Sequence, residues 1–311
     1  MHTQNACCIC TMCMFFICMF HIMHTSDNKL CANITQYQIE DGDNGMLFLS
    51  RIKKNNIALV VGTGESVNSI NYIQSHILMN IADIWGLNHF FFHDYIIPLV
   101  YHVEMASLGK YGNTLLWNYF RKYKKHLYNS TTFITPSSMK HNLENTLCHD
   151  PLPRAILSYT LKDYFADHAG CTQERVSTLS RRNMFTNTNN VDSYCSATIT
   201  RVIGLLIRLR YKHIAFIGVD LTSTTHFYSH HPYLKGNTKK FETMIRNKDI
   251  KRYNSSIHAT GARGVHLLIN RAAQIFTNIE FYNMAPTSKL ANMSHITTLT
   301  IDRFIRKYYI S

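Results

Sequence analysis

Ile57-Ala-Leu-Val-Val61 is a run of five apolar residues without polar alternation, and Gly62-Thr-Gly-Glu-Ser66 follows it at once. A strand with one wet face alternates polar and apolar side chains, so an unbroken run marks a strand covered on both faces. That is the situation of parallel sheets sandwiched between helices. The stretch from Val67 to about Met79 has helical character, which makes the sequence strand, glycine turn, helix. Further strands fit Ile81–Leu87 ending at Asn88, Leu99–Glu104, and Thr132–Thr135 before Pro136. Another is His213–Gly218, followed by Val219-Asp220-Leu221, and Ile279–Tyr282 reads as a final strand.

Helical segments fall between these runs. Residues 114–128 are helical and basic, and Val202, Ile203, Leu206, Ile207 and Leu209 recur at helical spacing behind a cap expected at Asp192-Ser193. Val265 to Phe276 forms the last helix. Alternating strands and helices predict an α/β fold, a Rossmann-like parallel sheet with helices on both faces. Residues 140–190 are polar and read as an insertion or lid, and a lid is also expected near 222–260. Residues 1–55 read as a hydrophobic N-terminal segment and linker, and 56–311 as the folded domain.

The formal net charge of +13 should attract something anionic, a nucleotide phosphate, a sialylated glycan, an acidic lipid headgroup or a nucleic acid, and does not choose among them. Lys122-Tyr-Lys-Lys125 and Arg208-Leu-Arg-Tyr-Lys212 are the runs a nucleic-acid reading would use. No recognised nucleic-acid-binding motif accompanies them, so a solvated or lipid-facing surface is preferred and nucleic acid is disfavoured. Ala6 to Met23 contains no Asp, Glu, Lys or Arg, and a membrane anchor is weighted evenly there against a leader or a mis-assigned start. Location is therefore left between membrane-associated and cytoplasmic, and the oligomeric state is left open. The nine cysteines show neither zinc spacing nor a disulfide framework.

Ligands of open α/β sheets sit beyond the carboxyl ends of the strands. Four such ends carry chemistry here: Gly62–Ser66, Asn88, His102/Glu104 and Asp220. Two glycines let a backbone approach a phosphate, and the helix after Ser66 would present its positive end there. The turn is neither GxGxxG nor GxxxxGK[ST], so dinucleotide and P-loop sites are excluded and a mononucleotide or sugar-nucleotide site remains. His226, His230, His231 and Asp220 lack the spacing of a metal template, so no metal is expected.

Four segments resemble the bacterial lipo-oligosaccharide sialyltransferases, glycosyltransferase family 42, in order and spacing: Ile57–Ser66, Asp83–Phe92, Tyr211–Leu221 and Phe281–Asn292. The resemblance covers roughly residues 55–295, with 105–190 matching poorly. It implies an inverting, metal-independent transfer of sialic acid from CMP-sialic acid to a glycan acceptor, with no cofactor. By position it places Gly62, Thr63, Gly64, Ser66, Asn88, Ser196 or Thr198, Asp220 and Leu221 at the donor. Tyr228 resembles a tyrosine that helps the phosphate leave, and His258 lies near the family's catalytic base, ahead of His226 and His230. Thr63, Glu65 and the His102/Glu104 pair depart from the family pattern, which keeps open another nucleotide sugar as donor.

Overall fold

The computed structural model describes residues 35–39, 44–104, 117–147, 153–165, 170–186, 190–222, 226–235 and 264–309. Among the described residues nine strands make one sheet: β1 (Thr35–Gln38), β2 (Ile57–Val61), β3 (Asp83–Leu87), β4 (Val100–His102), β5 (Thr132–Pro136), β6 (Ala155–Tyr159), β9 (His213–Ile217), β10 (Glu280–Asn283) and β11 (Thr297–Thr298). Their order is β1-β6-β5-β4-β3-β2-β9-β10-β11, and every pairing is parallel. β7 (Leu161–Tyr164) and β8 (Val191–Tyr194) form a separate parallel pair.

The helices are α1 (Asn44–Ile52), α2 (Tyr72–Ile81), α3 (Lys140–Leu147), α4 (Gln173–Ser177), α5 (Thr198–Arg208), α6 (Pro232–Lys235), α7 (Val265–Ile275) and α8 (Ile301–Tyr309). Strand side chains divide between two cores. Ala58, Val60, Trp85, Ile214 and Phe216 meet Val202 and Leu206 of α5 and Leu268 and Ala272 of α7. Leu59, Val61, Ile84, Ala215 and Ile217 point the other way, towards Leu78 of α2 and Phe304 of α8. The apolar runs lack alternation because both faces of the sheet are covered. Among the described residues no helix is long and apolar enough to cross a membrane.

Several expectations are corrected. The stretch expected as linker contains α1 and the edge strand β1, whose partner is β6. Residues 140–190, expected as an insertion, supply β6 to the main sheet between β1 and β5. Asp192 and Ser193 cap no helix. They lie in β8, and α5 begins at Thr198 behind Ala197. Helix does not follow Ser66 directly either. Glu65–Ser69 is a 3-10 turn, and α2 starts after Asn71, whose side chain and that of Gln74 form a reciprocal capping box. Beyond β10 the chain adds β11 and α8. Cys171 and Cys195, 24 residues apart, are joined in a disulfide with Cα atoms 5.7 Å apart.

Candidate functional site

The strand order runs from β2 outward through β3, β4, β5 and β6 on one side and through β9 to β11 on the other. β2 and β9 are therefore the switch point at which an open α/β sheet forms its ligand crevice. The glycine turn leaves β2 here, and Gly218–Leu221 leaves β9 beside it.

At this point the two chain segments are in backbone contact. Gly62 N donates to the Ile217 carbonyl at 2.8 Å, and Gly64 N donates to the Gly218 carbonyl at 2.8 Å. A Cβ on Gly62 would stand 2.2 Å from the Gly218 oxygen, and one on Gly64 would stand 2.5 Å from Asp220 Oδ2. The glycines thus serve an approach between strands of the protein itself. Asp220 is buried, and its carboxylate accepts Ser66 N at 2.9 Å and the Ser66 hydroxyl. Ser66 Oγ in turn accepts Gly218 N at 2.9 Å. The amide at the start of the 3-10 turn, expected to face a phosphate, faces the Asp220 carboxylate instead, an anion held in the same electrostatic position.

Thr63 projects the network outward. His226 Nδ1 lies 3.1 Å from Thr63 Oγ1, and Phe227 N donates to the Thr63 carbonyl at 3.1 Å. These contacts anchor the segment that carries Tyr228, whose ring stacks on His226 with centroids 5.0 Å apart. The Tyr228 hydroxyl is 3.3 Å from Nδ1 of His89, the residue after Asn88. Burial, and then the charge of His226, push the His89 imidazole down to about 3, so it is neutral near pH 7. Burial also raises the Tyr228 phenol well above its ordinary value, so it keeps its proton and can donate it in a hydrogen bond.

Asn88 links this group to the next strand end. Its backbone is left-handed, with φ 50°, a conformation asparagine tolerates better than most residues. Asn88 N donates to the His102 carbonyl at 2.9 Å, and its side-chain oxygen accepts Glu104 N at 3.2 Å. The Glu104 carboxylate forms an ion pair with Arg201 and accepts the Thr198 hydroxyl. Arg201 is buried, which lowers its guanidinium to about 10, and its Nε donates to Ser193 Oγ at 3.1 Å. Ser196, also left-handed at φ 50°, points elsewhere: its hydroxyl donates to Asp163 at 2.6 Å, next to the Cys171–Cys195 disulfide. Leu221 is buried and left-handed at φ 58°.

Gly62, Thr63, Gly64, Ser66, Asn88, Thr198, Asp220 and Tyr228 therefore belong to one chain of contacts across the carboxyl ends of β9, β2, β3 and β4. Ser196 is held by Asp163 in the adjoining turn. His258 and most of the segment expected as a lid lie outside the described residues. A cavity of about 360 Å³ opens beside Tyr228, lined also by Asn68, Phe92, Tyr95, His230 and His231. Among the described residues, Tyr228 and His230, the latter named as an alternative base, are the expected site residues that line it. Among the described residues no group of three or more His, Cys, Asp or Glu could hold a metal ion.

Sequence reasoning passed over two participants, His89 and Arg201. His89 has no local mark beyond standing next to Asn88. Arg201 had a readable one: it interrupts a stretch, Thr198 to Leu206, whose residues are all buried. A cation on such a face needs a buried partner.

No family model matches the chain, and no curated protein matches it. Solved structures similar to it include the sialyltransferase CstII from Campylobacter jejuni in complex with cytidine-5'-monophosphate, at 14% identity and TM-score 0.41, over 79% of this chain and 85% of that one. The monofunctional alpha-2,3-sialyltransferase Cst-I from the same organism is similar at 17% identity and TM-score 0.40, over 76% and 78%. MAf glycosyltransferase from Magnetospirillum magneticum AMB-1 is similar at 12% identity and TM-score 0.47, over 80% of this chain and 34% of that one.

Proposed function

We propose that this protein is a glycosyltransferase that moves a sugar, sialic acid, from a CMP-linked donor to a glycan acceptor with inversion and without a metal ion. The observation that carries the reading is Tyr228: a buried, protonated hydroxyl on a residue that lines a cavity, anchored through Thr63 to the switch-point turn and set against a neutral His89. Breaking the bond between sugar and phosphate leaves negative charge on a phosphate oxygen. A hydrogen-bond donor that does not ionise can stabilise that charge where a metal would otherwise be needed. Asn88, with its left-handed backbone, and the Thr198–Glu104–Arg201 group offer polar atoms for the nucleotide on the β3 and β4 side. In this reading the acceptor hydroxyl attacks the anomeric carbon as the phosphate departs, and its proton passes to His258.

The departures at Thr63, Glu65 and Glu104 from the family pattern favour a second donor within the same class, another nucleotide sugar. A thermal-shift series with CMP, CDP, UDP, GDP and their sugars separates the two. A ligand at a hundred times its dissociation constant adds about 2.7 kcal/mol to native stability, a shift of several degrees in Tm for a domain of this size. Stabilisation by UDP or GDP but not CMP would replace the donor and leave the transferase class. With the donor established, Tyr228→Phe is expected to keep the shift and lower kcat by roughly 10²–10³-fold. Activity is expected to survive EDTA, and restoration by manganese of an activity lost to EDTA would overturn the metal-free mechanism.

A further inference from the structure

Helix-to-strand connections of a parallel sheet all return to its amino-terminal end, opposite the crevice. In this protein that end is strongly basic. Lys53 and Lys54 precede β2, Arg154 precedes β6, and Arg208, Arg210 and Lys212 precede β9. α1 ends there with Arg51, and α8 ends there with Arg306 and Lys307. Two of the nine strands begin with a carboxylate, Asp83 and Glu280, and both are engaged within the protein. Asp83 accepts the amides of Lys54 and Asn55 and the hydroxyl of Tyr211, and Glu280 accepts from Tyr282 and pairs with Lys307 and His213.

Two of these entrances are joined directly. Lys53 Nζ donates to the carbonyls of Leu209 and Arg210 at 3.1 Å each and stands over the Tyr211 ring at 4.4 Å, which ties the β2 entrance to the β9 entrance. Arg154 stands over Phe48 of α1. At this end a cavity of about 500 Å³ opens, with Ile207, Tyr211, Phe276 and Ile279 as its apolar floor and Arg181, Arg210 and Lys212 at its edge.

An apolar hollow rimmed by cations suits an amphiphile whose head is anionic. It suits a nucleic-acid strand poorly: the aromatics of the floor, Tyr211 and Phe276, are buried and present no exposed face on which a base could stack. A second observation points the same way. β1 runs parallel to the other strands, so its first residue, Thr35, stands at this basic end, and in the sequence residues 24–34 separate it from the uncharged, apolar stretch Ala6–Met23.

We infer that the amino-terminal end of the sheet docks on a bilayer carrying anionic headgroups, with the cations pairing to the headgroups and the cavity receiving an acyl chain. The crevice at the opposite end then faces the aqueous phase. This surface stands whether or not the crevice proves to be a transferase site.

The test uses the full chain in co-sedimentation with vesicles of phosphatidylcholine alone or with about a third phosphatidylglycerol, at low and high salt. Binding to the anionic vesicles and its release by salt are expected, because contacts at a membrane surface are screened within a Debye length. The triple variant Arg181→Gln, Arg210→Gln, Lys212→Gln is expected to unfold at the same temperature as the parent and to lose vesicle affinity by about a hundredfold, roughly fivefold per cation. Equal, salt-insensitive binding to neutral vesicles would overturn the inference whatever the variant does. Full vesicle binding by the triple variant would do the same, since residues 6–23 would then account for the affinity alone. Displacement of the vesicles by a single-stranded oligonucleotide bound more tightly would replace the bilayer with nucleic acid.

Discussion

The two halves of the crevice are built differently. On the β2–β9 side, backbone meets backbone with no room to spare, and Gly62, Gly64 and Gly218 leave no space for a side chain. On the β4–α5 side, a buried cation and a mostly buried carboxylate hold the strand end to the helix. The first half depends on shape and the second on charge, so they should fail in different ways.

Gly62→Ala is the strongest way to break the shape-dependent half. Its Cβ would overlap the Gly218 carbonyl, and Gly218 itself sits at φ 70°, where the backbone has little freedom to retreat. Loss of more than about 3 kcal/mol, seen as poor folding or a large drop in Tm, is expected. A variant that folds normally would mean that the turn can move off β9 and that the close approach is incidental.

Next in size is the charge-dependent half. Glu104→Leu alone leaves Arg201 buried without its counter-charge and should cost about 3 kcal/mol. The double variant Glu104→Leu, Arg201→Met removes both charges and should recover most of that stability. Additive losses in the double variant, measured by denaturant unfolding, would show that the pair is not electrostatically coupled.

The smallest effect at neutral pH becomes visible on acidification. His89, between the two halves, and His102, at the end of β4, are both held neutral in the fold, their imidazoles pushed down to about 3 mainly by burial. An unfolded histidine protonates near pH 6.5. Between these values the unfolded chain binds protons that the native chain does not. Stability should therefore be complete above about pH 6.5 and fall as the pH is lowered towards 3. His102, whose Nε2 lies 2.7 Å from the Tyr159 hydroxyl, gives the test: His102→Gln should flatten the fall. An unchanged acid profile in that variant would assign the sensitivity to other groups.

The basic runs divide along similar lines. Lys124 and Lys125 of the first run are buried, and Lys124 pairs with Asp94 at 2.7 Å, so two of that run's three charges belong to the interior. Arg210 and Lys212 of the second run are exposed, at the end of the sheet away from the crevice. Composition alone treats the two runs alike.

What the chain by itself determined is the class of fold and the strand ends that bear polar residues. Unalternating runs such as Ile57–Val61 and Ile214–Ile217 state locally that both faces will be covered, and a glycine turn after such a run states where the chain must bend. Tertiary structure alone decided what those ends touch. β1 is four residues of polar sequence, Thr-Gln-Tyr-Gln, and becomes a strand only because β6 offers it an edge. Asp192 and Ser193 carry the local chemistry of a cap, but pairing with β7 outweighs it. Asp220 reads as a ligand residue until the register of β9 against β2 sets its carboxylate on Ser66, 154 residues away in sequence. Cys171 and Cys195 meet across 24 residues for the same reason. Periodicity reports the burial of each residue along its own element. The partner across the sheet is chosen by strand order and register, which no window of sequence contains.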